Sequence, residues 1–148
     1  MQRRWFLMAL PLALMATSAL AGGKPHQLAL QISDDSPDKM TAVLNVAANV
    51  ARYYGQKGEE VELRIVAFNA GLNMLRTDRS PVLARLKSMS ESLPELRFEA
   101  CGNTRENMAQ KEGRKPGEIP LFASAKVVPS GVIELIELNE QGWTILRP

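Results

Sequence analysis

The stretch Phe98-Glu99-Ala100-Cys101-Gly102-Asn103-Thr104 carries the single cysteine of this 148-residue chain. With no second cysteine, three fates are open to the thiol. It can pair between molecules, react as a free nucleophile, or fill space as a small hydrophobe. Its surroundings bear on the choice. Residues 96–100 before it are strand-like, and residues 103–111 after it are polar and helix-competent, with Gly113 as a stop. A cysteine at such a junction sits under unpaired backbone N–H groups and the positive end of a helix dipole. That setting favours the anionic sulfur, the form that attacks and that accepts sulfur. Arg105, one helical turn on, would add positive charge, and Asp34 would oppose it from the same edge. Gly102, Asn103, Thr104, Asn69 and Gly71 complete the expected lining, the glycines allowing tight turns beside the site.

Other chemistries fit less well. A Cys–His hydrolase would need His26, the single histidine, which opens the first strand at the opposite edge of a parallel sheet. A nucleotide or flavin site would place glycines and free amides after that strand. The loop there is Ser33-Asp34-Asp35-Ser36-Pro37-Asp38, with no glycine and three carboxylates that would repel phosphate. Those carboxylates suit a hard cation, but an acidic loop leading into a helix N-terminus accounts for them more simply. One histidine and one cysteine do not make an all-protein zinc site. The expectation is no metal and no organic cofactor.

The elements that must position Cys101 alternate. Strands are expected at residues 27–33, 60–68, 96–100, 124–128 and 143–146. Between them, Ser36-Pro37 and Ser80-Pro81 each read as an N-cap followed by proline at the first helical position. Helical spacing recurs through Val43, Ala47, Val50 and Tyr54, through Val82, Leu86, Met89 and Leu93, and again after Ser130. Asn69-Ala70-Gly71 leads to a short apolar turn at residues 72–75. This alternation predicts an α/β fold, a flavodoxin-like three-layer sandwich on a mostly parallel five-stranded sheet. Functional loops then gather at the strand carboxyl ends, here residues 33–36, 69–71 and 101–104.

Residues 1–21 read as a cleaved export signal. Arg3 and Arg4 precede an apolar run from Trp5, and Ala19-Leu20-Ala21 fits a small-x-small cleavage site. The run is shorter than the ~20 residues a membrane span needs, so no stable membrane insertion is expected after cleavage. The Arg3-Arg4 pair leaves the Sec and twin-arginine routes both open. Residues 22–148 make one domain. Removing Arg3 and Arg4 brings the 18 basic residues level with the 16 acidic ones, so no basic excess points to nucleic acid.

Taken together, the motifs resemble the DsrE/DsrF-like family of sulfur-relay proteins. The resemblance rests on Ala100-Cys101-Gly102-Asn103-Thr104, on Val127-Val128-Pro129-Ser130-Gly131-Val132, on Val66-Ala67-Phe68-Asn69-Ala70-Gly71-Leu72, and on the closing Gly142-Trp143-Thr144-Ile145-Leu146-Arg147-Pro148. It spans nearly all of the chain after the leader. It implies a flavodoxin-like fold, a homo- or hetero-oligomer, and a cysteine at the position of Cys101 that carries sulfur as a persulfide. The function expected on this basis is a periplasmic sulfur carrier with a sulfur donor or acceptor protein as partner. The alternative is a non-catalytic binding module in which Cys101 is structural and the apolar helix at residues 132–138 forms an oligomer face.

Overall fold

The computed structural model describes residues 23–148; the expected leader lies outside them. The described residues form five strands, β1 (His26–Ile32), β2 (Val61–Ala67), β3 (Leu96–Cys101), β4 (Ala125–Val128) and β5 (Thr144–Leu146). Four helices alternate with them: α1 (Pro37–Lys57), α2 (Leu83–Ser92), α3 (Gly102–Lys111) and α4 (Gly131–Glu140). The sheet has the order β4-β3-β2-β1-β5, and every pairing in it is parallel. The expected flavodoxin-like α/β architecture is the one found, with "mostly parallel" sharpened to wholly parallel.

That order dictates where the helices go. From β1 to β4 the chain steps one way across the sheet, so right-handed crossovers put α1, α2 and α3 on the same face. The return from β4 to β5, past β1, sends α4 to the other face. Packing agrees. Val43, Leu44 and Ala47 of α1 and Leu86 and Met89 of α2 share a core with Leu30, Leu63, Ile65 and Phe98, and Met108 of α3 packs against it. Leu135 and Leu138 of α4 meet Ala29, Val66 and Trp143 in a separate, smaller cluster.

Local signals set most element ends. Ser36 caps α1, its Oγ accepting the Lys39 N–H at 3.4 Å with Pro37 at the first helical position, and Gly58 ends it at φ 68°. Ser130 does the same for α4 through the Ile133 N–H at 3.5 Å. At the second Ser-Pro pair the outcome differs. Ser80 Oγ accepts the Val82 N–H at 3.3 Å, a local turn, and α2 begins only at Leu83 with no side-chain cap. The hydroxyl's short reach to its second neighbour competes with helix capping, a known alternative for serine.

The apolar turn after β2 extends over Asn69–Leu75 as a 3-10 segment. Gly71 makes its seating tight: a Cβ there would lie 2.3 Å from the Ile32 carbonyl oxygen. Beyond it Arg76, 1% exposed, donates to Asp78 at 2.9 and 2.8 Å and to Glu112, just past the end of α3, at 2.6 and 3.1 Å. These bonds hold both carboxyls below their ordinary range and tie the segment to α3.

Candidate functional site

Opposed crossovers leave a crevice where adjacent strands send their chains to opposite faces, and in open α/β sheets that is where sites form. Here β3 leads to α3 on one face, and its neighbour β4 leads to α4 on the other. The crevice therefore opens between the carboxyl ends of β3 and β4. Cys101 is the last residue of β3, paired in register with Val128, the last of β4.

The site builds up from these strand ends. Cys101 is itself the N-cap of α3, and its Sγ accepts the Thr104 N–H at 3.5 Å. The side chain shares the face of the sheet that α4 covers. A Cβ on Gly131, the first residue of α4, would stand 3.3 Å from the Cys101 Cβ and 3.0 Å from that of Phe68. Glycine at 131 thus lets the start of α4 come down on the thiol, and two helix N-termini flank one sulfur. The α3 terminus places the Thr104 N–H on the sulfur, and the start of α4 adds the partial positive charge of a helix N-terminus nearby. Cys101 is unpaired and 4% exposed.

The residues expected around the thiol divide into those that hold it and those that turn away. Gly102 lies under the β4 exit, where a Cβ would sit 3.0 Å from the Val128 carbonyl oxygen. The Asn103 N–H donates to the Pro129 carbonyl at 3.2 Å, stitching the β3 and β4 loops together. Thr104, 8% exposed, presents its N–H to the sulfur while its Oγ1 accepts the Asn69 N–H at 3.0 Å. Asn69 takes a left-handed backbone at φ 48° to make that bond, a conformation asparagine tolerates better than most residues. Gly71 supports the same loop from beneath. Arg105 turns elsewhere: its guanidinium donates to the carbonyls of Gly117 and Ile119, at 3.3 and 2.8 Å. Asp34 is paired with Arg147 at 2.8 Å and Lys39 at 3.0 Å, and these cations hold its carboxyl below the usual range.

Phe68, Val128 and Gly131 were not singled out from the sequence as site residues. The signal for Gly131 was present in the Pro129-Ser130-Gly131 run, read there as a helix start. Its second role, as the contact that brings α4 onto Cys101, depends on strand order. His26 pairs with Val61 at the amino end of the sheet and bonds Glu59 at 2.7 Å, at the edge away from Cys101.

On the face that α4 covers lies a half-buried ion pair. Arg64 donates to Glu99 at 2.8 Å and to Glu134 at 3.0 Å, with its guanidinium 4.8 Å from the Trp143 ring centre. Glu99 is 2% exposed, and burial raises its carboxyl above the ordinary value although Arg64 pulls it down. Desolvation outweighs the partner, as it commonly does for a charge removed from water. Among the described residues no three His, Cys, Asp or Glu side chains group as a metal site would require, and no helix is long and apolar enough to cross a membrane.

No protein-family model matches the sequence, and no curated protein matches it. Among solved structures the chain is similar to the protein of unknown function MTH1491 from Methanobacterium thermoautotrophicum. The two are 25% identical, with a TM-score of 0.69 over 83% of this chain and 99% of that one. The class that fold and neighbour define is a small, parallel, flavodoxin-like α/β domain.

Proposed function

We propose that the protein is an exported, DsrE-like sulfur carrier that holds sulfane sulfur as a persulfide on Cys101. One observation carries the reading: the lone thiol stands at the single strand boundary where the crossovers diverge, between the N-termini of α3 and α4, with the Thr104 N–H on its sulfur at 3.5 Å. The motif resemblance to DsrE/DsrF-like proteins supports the same residue, and the leader expected at residues 1–21 supports a periplasmic setting.

The chemistry balances without a redox partner. Deprotonated Cys101 Sγ attacks the outer sulfur of a donor R–S–SH. A new S–S bond forms as the donor's S–S bond breaks, and R–S⁻ leaves with the electron pair and takes up the proton that Cys101 released. An acceptor thiolate then attacks the outer sulfur of the Cys101 persulfide, and Cys101 departs as thiolate. The Thr104 N–H, already on the sulfur at 3.5 Å, stabilises the charge at each stage without rearrangement. An exposure of 4% restricts the donor to a slender one, such as the terminal sulfur of a polysulfide.

Intact mass after polysulfide treatment tests this. Wild type should gain one sulfur atom, lost again on treatment with dithiothreitol, and Cys101→Ser should gain none. Wild type that stays unmodified while a small alkylating agent labels Cys101 freely would sink the proposal.

A second reading has its own observation. Val132, Ile133 and Ile136 on the outer side of α4 are 49%, 51% and 48% exposed, an apolar stripe without a partner among the described residues. It favours a homo-oligomer built on α4, whether or not Cys101 reacts. Light scattering of wild type and Ile133→Glu tests it: the variant should dissociate, and a monomeric wild type would end the reading.

A further inference from the structure

On the other side of Thr104 a cavity of about 450 Å³ opens between the 3-10 segment and α3. Cys101 does not line it. Its wall combines apolar Met108 with the side chains of Asn69, Asn73 and Asn107 and the cations Arg79 and Lys111. Polar and charged side chains converging around an apolar patch are what orients a ligand in a small-molecule site.

Two features specify what would fit. The first is Asn73, which is 8% exposed and lines the cavity. Its Nδ2 donates to the Asp35 carboxylate at 3.0 Å. A carboxylate only accepts, so this bond fixes which way the amide faces. The amide oxygen, turned the other way, is buried without a hydrogen-bond partner. Buried acceptors are rarely left so, and a ligand's donor would satisfy this one after a small turn of the Asn73 side chain toward the cavity. The second feature is charge. Arg76 is neutralised by Asp78 and Glu112, and Glu112 also lies 3.2 Å from Arg79, so the cations left for a ligand are Lys111 and, in part, Arg79. Lys111 is exposed on the rim and makes no ion pair among the described residues.

We infer that this cavity binds a small organic carboxylate carrying a hydroxyl or amino group, its anion at Lys111 and Arg79 and its donor on Asn73 Oδ1. The site is separate from the thiol chemistry and does not depend on it.

Four probes separate its parts in amide-resonance titrations of the full mature chain. D-gluconate and L-glutamate carry both features, hexanoate lacks the donor, and sorbitol lacks the charge. Gluconate or glutamate should shift resonances of residues 69–76 and 107–112 saturably at millimolar concentration, with hexanoate about tenfold weaker and sorbitol silent. Lys111→Gln, an exposed change that leaves the core untouched, should weaken binding about tenfold. The inference is overturned if neither hydroxy- nor amino-carboxylate shifts these resonances. Equal binding by hexanoate, or unchanged binding in Lys111→Gln, overturns it too. Because Cys101→Ser should bind the probes as wild type does, failure here and failure of sulfur transfer are read independently.

Discussion

The two faces of the sheet are built to different standards. One lies under α1, α2 and α3 and holds a continuous apolar core in which Leu30, Leu44, Leu63, Ile65, Leu75 and Leu86 have no exposed surface. The other lies under α4 alone, and its five-residue cluster shares the sheet with a half-buried pair in which only Glu99 is fully enclosed. The contrast teaches where stability and chemistry reside. The thick face supplies the packing that holds the sheet, and the thin face leaves Cys101 under the start of a single helix.

Breaking the thick face should cost most. Gly71→Ala drives a methyl group against the Ile32 backbone, 2.3 Å from its oxygen, with no flexible side chain to yield. We expect a loss of about 4 kcal/mol or failure to fold, read by urea denaturation of the soluble fraction. The paired test comes next. Leu44→Ala under α1 should cost roughly 3–5 kcal/mol, and Leu135→Ala under α4 roughly 2 kcal/mol, because a thin layer relaxes into its cavity and Leu135 is already 8% exposed. Equal losses would erase the distinction between the faces.

Glu99 sharpens it by pH. Its folded carboxyl titrates above the ordinary 4.5 because burial disfavours the charge. Between those two values the native state holds a proton that the unfolded state has released, so stability falls as pH rises through that window. Glu99→Gln should flatten the fall, read as a smaller change in the urea midpoint between mildly acidic and neutral pH than wild type shows. Arg64 keeps Glu134 as partner in the variant. Smallest is the outer side of α4: Ile133→Lys should shift monomer stability by less than about 0.5 kcal/mol, since half of the side chain is already in water.

Much of this was legible from residue order. Ser36-Pro37 and Ser130 stand at helix starts with their hydroxyls on the expected amides, and the Cys101 junction between strand and helix lies where the polarity changes. These are local signals, set within one turn of chain. Ser80-Pro81 misled because the same hydroxyl can close a turn two residues on. What stayed hidden was long-range. Nothing adjacent in sequence tells that Arg105 bonds carbonyls at residues 117 and 119, that Asp34 pairs with Arg147, or that Gly131 rests on Cys101. The strand order that brings those loops together emerges only when the sheet closes.

Thr104 is a party wall. Its N–H is committed to the sulfur on one side, its Oγ1 to the Asn69 loop that lines the cavity on the other, and 8% exposure leaves it no third option. The residue cannot shift toward either tenant without loosening its hold on the other. Any variant at position 104 is therefore an experiment on both rooms, and neither assay alone would reveal which one it had disturbed.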